Sequence, residues 1–439
     1  MKVNLNIERK GEREVSGSII RWVIETPVRS ETVVDGDCIL EFSGWVTPQS
    51  GANPISAVIV TDDNGDISSY PLRVKRPDVV NKVVTAAEDR APLIRCGFSF
   101  GISLKEGRFE VHFLVLDEKI HIGTISASTS NVIIGKNRWL FLGNDTNKSV
   151  SQYLRDFVPT TSWTEQWSSY FSSVKRVSDQ YELSPIVLVS PTKEEIFPDY
   201  YPYKKGEKTA VDVLLDRFGA ELPSYWPKED LMRRREFSYD AAETHWNDYG
   251  GWFVAKETMA RLGVMLPSLL HHPHFDIREE TGDLGFKLTP RLIVPRLKIV
   301  LEHKSKLIFD NYVVNHGRIK IFENKQAPSP SSVIIFGGSS SEALLPTFRE
   351  AFSRVVYAHT AGGFDPKLIE RERPKFVVIQ FAQRFVVQPS FAGWNTQDVA
   401  SKKLSLKDGV ASQATAENIS VFGDSSVELY VRNTLDALQ

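Results

Sequence analysis

His245 sits two residues after a carboxylate in Glu243-Thr244-His245-Trp246-Asn247, and farther along the apolar run Val333-Ile334-Ile335-Phe336 breaks into Gly337-Gly338-Ser339-Ser340-Ser341. A serine hydroxyl is a weak nucleophile near neutral pH. It needs a base to take its proton, and the base needs a partner to stabilise the imidazolium it becomes. A serine on a tight turn after a buried strand, with a histidine held by a nearby carboxylate, supplies those parts for acyl transfer. The assignment is Ser339 as nucleophile, His245 as base and Glu243 as the orienting carboxylate. Ser340 and Ser341 are the alternatives if the turn is read one or two positions off. The backbone N–H of Ser339 or Ser340, at the start of a helix, is the first choice of donor to the oxyanion.

Ser425, in Phe422-Gly423-Asp424-Ser425-Ser426, competes for the nucleophile's place. The segment before it, 417–421, is short and poorly apolar, whereas Ser339 follows a strand-like run and precedes an amphipathic stretch over 342–352. A cluster of histidines at 271, 272 and 274 lacks the spaced carboxylates or thiols of a metal site, so no metal is assigned.

Two textures must position these residues. Residues 1–128 read as an all-β sandwich, with β-branched and aromatic segments at 18–25, 38–46, 55–61, 69–74, 94–102, 109–116 and 119–125. Turn signals at Gly36, at Asp63-Asn64-Gly65 and at Glu106-Gly107 separate some of them. From 129 to 395 helical periodicity alternates with short apolar runs, the pattern of a parallel sheet covered on both faces. Over 161–181, Trp163, Trp167, Phe171, Val174 and Val177 fall on one helix face behind a Ser162…Glu165 capping box. The tail, 396–439, is polar and expected to be partly irregular.

At 439 residues, with 41% hydrophobic and 25% charged residues, the chain has room for two cores of an ordinary globular kind. A net charge of −2 offers no field to draw nucleic acid or an anionic membrane. No apolar run approaches membrane-spanning length and the N-terminus lacks the apolar core of a secretory signal, so a cytoplasmic location is expected, with any membrane association made through partners. Cys38 and Cys96 are too few for a disulfide framework; they read as small buried hydrophobes, or as one pair if the chain is exported.

Several blocks in this order resemble the SGNH-hydrolase-like domain of the alginate O-acetyltransferase family, which acetylates bacterial polysaccharides. They are Gly135-Lys136-Asn137-Arg138-Trp139-Leu140-Phe141-Leu142; Val189-Ser190-Pro191-Thr192-Lys193 with Ile196-Phe197-Pro198-Asp199-Tyr200-Tyr201-Pro202; the His245 block; Gly337-Gly338-Ser339-Ser340; and Gln380-Phe381-Ala382-Gln383-Arg384-Phe385. Together they span roughly 130–390. The resemblance implies an α/β/α three-layer domain with a parallel sheet and a carbohydrate O-acetyltransferase acting on a surface polysaccharide or its precursor. It implies an acyl-serine intermediate on Ser339 with His245 and Glu243, and Gly338, Ser340, Lys193, Gln383 and Arg384 near the substrate or oxyanion.

Two positions depart from the family pattern. Glu243 stands for its aspartate, and Gly338 for the acidic residue that braces the nucleophile turn. A poly- or oligosaccharide acceptor and an acetyl donor are the implied partners, the donor being acetyl-CoA or a membrane acyl-transfer protein. No cofactor is called for. An acetylesterase of the same fold would use the same residues, and the two departures also leave room for a non-catalytic glycan-binding or assembly protein. The N-terminal domain would then serve carbohydrate binding or docking.

Overall fold

The computed structural model describes residues 2–29, 31–33, 39–51, 54–128, 131–288, 290–406 and 409–438. The chain forms two compact units. One comprises Met1–Asp145, Pro198–Lys204 and Thr281–Ile293; the other comprises Thr146–Phe197, Lys205–Glu280 and Val294–Gln439.

The first unit contains two antiparallel sheets, of six and four strands, that contribute to one apolar core. Alternation explains it: in Gly107–Val115 every second residue is buried, among them Phe109, Val111 and Phe113. Trp22 and Phe42 from the smaller sheet meet them in the same core. Among the strands that escaped the sequence reading are Lys2–Ile7 and Lys10–Val15, the latter because it is almost entirely polar. Cys96 is a buried free thiol; Cys38 and Gly36 lie outside the described residues. The block at 135–142 belongs to this unit, where Lys136 N–H donates to Tyr200 O at 2.8 Å and a Cβ on Gly135 would stand 2.4 Å from that same oxygen. That close approach ties 198–204 to the first unit.

The second unit is built on a seven-stranded mixed sheet: β1 (Ser184–Ser190), β2 (Ser224–Tyr225), β3 (Lys306–Asp310), β4 (Ile319–Glu323), β5 (Ser329–Gly337), β6 (Phe352–His359) and β7 (Phe376–Ala382). The order is β2-β1-β7-β5-β6-β4-β3. The first five run parallel, whereas β4 joins β6, and β3 joins β4, antiparallel. The wholly parallel sheet expected from the sequence is therefore corrected at one edge. Both edge strands carry charged residues, Lys306 and Asp310 on β3 and Lys320 and Glu323 on β4, unlike the continuous apolar runs of the buried parallel strands.

Helix α1 (Thr161–Gln180) lays the expected stripe, Trp163 to Val177, into the core against Val187, Val189, Phe336, Ile379 and Phe381. Its cap is Thr160, whose Oγ1 accepts from Trp163 N–H at 3.1 Å, not Ser162. Among the described residues the tail is helical, with helices at Thr396–Leu404, Gly409–Ser420 and Glu428–Asp436. Sparse apolar residues at helical spacing suffice there: Ile419, Val427 and Tyr430 enter the main core. No described helix is long and apolar enough to cross a membrane.

Candidate functional site

In an open α/β sheet the C-terminal ends of parallel strands leave backbone and side chains unpaired at one edge, where sites are built. Here β5 ends at Gly337, β6 at His359, β7 at Ala382 and β1 at Ser190, with Gly337 opposite His359 and Ser190 opposite Ala382. A cavity of about 170 Å³ opens at this edge, lined among others by Ser339, His245, His359, His316 and Arg384.

The serine turn is fixed from several sides. Gly337 must be glycine, since a Cβ would stand 1.9 Å from Ser341 Oγ. Gln380, fully buried on β7, accepts through Oε1 from Gly338 N–H and from Ser341 Oγ–H, each at 2.9 Å, and donates through Nε2 to Ser190 Oγ at 2.9 Å. The backbone N–H can only donate, so it sets which way the amide faces. Tyr357 OH donates to Gly338 O at 3.0 Å, and Trp246 Nε1–H donates to Ser340 O at 2.8 Å. These contacts do the bracing that an acidic side chain at 338 would otherwise do. Gly338 itself is not conformationally required: its φ is −117° and a Cβ would meet nothing closer than 3.9 Å.

The three serines are thereby distinguished. Ser341 is spent on Gln380, and Ser340 is buried with its Oγ 3.3 Å from Ser190 Oγ. Ser339 is exposed and opens the short helical turn Ser339–Leu344, which continues as α2 (Leu345–Ala351).

The histidine loop is closed by an isolated bridge between Tyr239 and Trp246. His245 Nδ1 lies 2.8 Å from Glu243 Oε1, so glutamate reaches the ring despite its extra methylene. Arg296, absent from the sequence reading, donates to Asp240 Oδ2 at 2.8 Å and lies 3.4 Å from Glu243 Oε2. Burial pushes the Asp240 carboxyl above its usual value, although Asn247 and Arg296 both donate to it. Asn247 also caps α3 (Asp248–Arg261), accepting from Gly250 N–H at 3.1 Å. On α3 a Cβ at Gly251 would stand 2.4 Å from Ala343 O, so glycine brings this helix onto the serine turn.

Among the described residues no hydrogen bond joins Ser339 to His245; the two share the cavity. Lys193 does not reach the cavity. Its buried ammonium donates to the carbonyls of Asp240, Ala241 and Glu243 at 2.8, 2.9 and 2.9 Å, holding the histidine loop from beneath. Gln383 is likewise a supporting side chain, bonded to Thr192 N–H and Glu195. Arg384 lines the cavity. Ser425 lies elsewhere, exposed on a turn capped by Asp424.

His359 is, with Arg296, a residue absent from the sequence reading. It is the last residue of β6, which delivers it beside the serine turn. Burial, then His316 beside it, lowers its pKa from 6.5 to about 4.

No family model matches the sequence, and no curated protein matches it. Among solved structures, the chain is similar to the O-acetyltransferase domain of Pseudomonas putida AlgJ at 16% identity and a TM-score of 0.38, covering 62% of this chain and 99% of that one. It is similar to Bacillus cereus PatB1 at 11% identity and a TM-score of 0.45, covering 61% and 99%. A DHHW family protein from Eubacterium siraeum DSM 15702 is similar at 12% and 0.40, covering 66% and 98%.

Two outcomes follow from this geometry. Replacing Gln380 by leucine strands a buried N–H and two hydroxyls, and should cost roughly 2–5 kcal/mol of unfolding free energy in urea titrations. A loss below about 1 kcal/mol would show that the turn holds without the amide. The unfolded chain binds a proton at His359 before the folded chain does, so stability is full above pH 6.5 and falls as pH drops toward 4. Subtracting the His359→Asn profile from wild type should isolate that fall, up to roughly 3 kcal/mol; parallel profiles would contradict it.

Proposed function

We propose that the second unit is a serine-dependent O-acyltransferase that moves an acetyl group onto a hydroxyl of a bacterial surface polysaccharide or its precursor. The observation that supports this is the pairing of an exposed Ser339 with His245 in one cavity, the imidazole held at 2.8 Å by Glu243. A three-layer SGNH-hydrolase-like arrangement is the fold reading that accompanies it, with the first unit as a β-sandwich accessory domain.

His245 Nε2 takes the Ser339 hydroxyl proton as Oγ bonds to the acyl carbon. The carbonyl electrons move onto oxygen, and the backbone N–H of Ser339 or Ser340 at the start of the helical turn is the donor assigned to the developing charge. Collapse breaks the bond to the donor's leaving group, which receives the proton from His245. In the second half a sugar hydroxyl gives its proton to His245 and attacks the acyl-serine. The bond between the acyl carbon and Ser339 Oγ breaks, and Oγ recovers the proton from His245. Glu243 holds the Nδ1–H tautomer and stabilises the imidazolium in both halves. Water in the sugar's place would make the same residues an esterase.

With p-nitrophenyl acetate as donor, Ser339→Ala and His245→Ala should each lower turnover roughly 1,000-fold or more, while Ser425→Ala leaves it unchanged. A soluble oligosaccharide should speed acyl-enzyme breakdown and emerge acetylated. Hydrolysis untouched by any saccharide would assign an esterase instead. A Ser339→Ala enzyme as active as wild type would overturn the serine mechanism.

A further inference from the structure

The mechanism above leaves one buried imidazole of the cavity unused. His359 is 7% exposed, lines the cavity with Ser339, and has its Nδ1 3.0 Å from Tyr357 OH. The same phenol oxygen lies 3.0 Å from Gly338 O. A carbonyl oxygen only accepts, so the single phenol proton goes to Gly338. The other contact is then a hydrogen bond only if Nδ1 carries the imidazole proton and donates to the phenol oxygen. That leaves Nε2 as a bare lone pair.

Among the described residues nothing donates to this nitrogen, which lies 3.9 Å from where a Cβ on Gly338 would stand. It is thus next to the turn that carries Ser339. His316 packs against the ring at 5.5 Å between centroids, and Trp394 packs against His316 at 5.6 Å, without competing for the lone pair. The low pKa of His359 keeps the ring neutral at any physiological pH. A lone pair cannot stabilise an oxyanion, so the acyl oxygen does not belong on this side of the cavity. What it fits is the proton of a hydroxyl.

We infer that His359 is a substrate-binding residue, its Nε2 accepting a hydrogen bond from a hydroxyl of the acyl acceptor adjacent to the one that is acylated. The inference rests on the acyl-transfer reading of the site and adds a selection for polyhydroxylated acceptors over simple alcohols. The selection comes from a fixed tautomer: Tyr357 reads the position of the serine turn through Gly338 O and sets the imidazole's proton in the same contact pair.

Two substitutions separate substrate binding from structural support. In His359→Asn the shorter amide can still donate to Tyr357 but has nothing at the Nε2 position. In His359→Gln the terminal amide oxygen can occupy that position. The full-length protein would be acetylated with p-nitrophenyl acetate, and breakdown of the acetyl-enzyme followed in water, in ethanol and in a panel of methyl glycosides. The expected result is a KM for the preferred glycoside raised roughly tenfold by His359→Asn and no more than about threefold by His359→Gln. In each variant the glycoside effect is read as a ratio to ethanolysis and hydrolysis by that same variant, and that ratio should fall in His359→Asn far more than in His359→Gln.

An unchanged glycoside KM in His359→Asn would overturn the inference, as would an equal loss with ethanol and with water. A wild type that prefers no glycoside to ethanol would overturn it too, with the serine mechanism still standing. Failure of the wild type to acetylate at all would instead remove the acyl-transfer reading, and this inference with it. Thermal melts of both variants would show that each is folded before its kinetics are read.

Discussion

One buried amide holds the ends of three parallel strands in register. Gln380 on β7 accepts from the backbone of the serine turn after β5, accepts from Ser341, and donates to Ser190 at the end of β1. An amide suits this place because it offers acceptor and donor at once, and a fully buried group must satisfy both or pay for the loss. A carboxylate there could accept from Gly338 but could not donate to Ser190. Since the turn is gripped from the neighbouring strand, position 338 is free of bracing duty, and Tyr357 and Trp246 hold the adjacent carbonyls.

The base is positioned by charge rather than by packing. Its loop lies between the buried ammonium of Lys193, which collects three carbonyls, and the guanidinium of Arg296, which faces Asp240 and Glu243. Buried charges so arranged confer geometry more than stability, because their desolvation offsets much of their attraction. The block Glu243-Thr244-His245-Trp246-Asn247 divides its work accordingly. Glu243 orients the imidazole, Trp246 bonds the serine turn, and Asn247 joins Asp240 and caps the next helix. One short segment therefore couples base, nucleophile turn and helix.

Much of this was legible in the chain. The apolar run before Gly337 located β5, and the aromatic stripe of α1 was recognisable by its spacing. Polar edge strands such as Lys10–Val15, and the antiparallel pair β3–β4, were not, because partners distant in sequence decide their pairing. Ser339, His245 and Glu243 could be named from local context; Ser339 and His245 line one cavity, and Glu243 bonds the imidazole. Lys193 was named as a candidate near the substrate or oxyanion; its bonds to the carbonyls of the histidine loop carried no local signal, since a lysine's direction depends on which carbonyls surround it. Arg296 and His359 carried no local signal. Each matters only through contacts made across the fold, Arg296 to Asp240 and His359 to the residue after the turn's glycine.

The central claim is that Ser339 is the residue that becomes acylated. Its most direct test is to treat the protein with an activated acetyl ester, quench in acid within the first turnover, and map the modified peptide by mass spectrometry. The account predicts a gain of one acetyl group on Ser339, absent from Ser340, Ser341 and Ser425. Acetyl found on Ser425, or on no serine under conditions that label a control serine hydrolase, would contradict it.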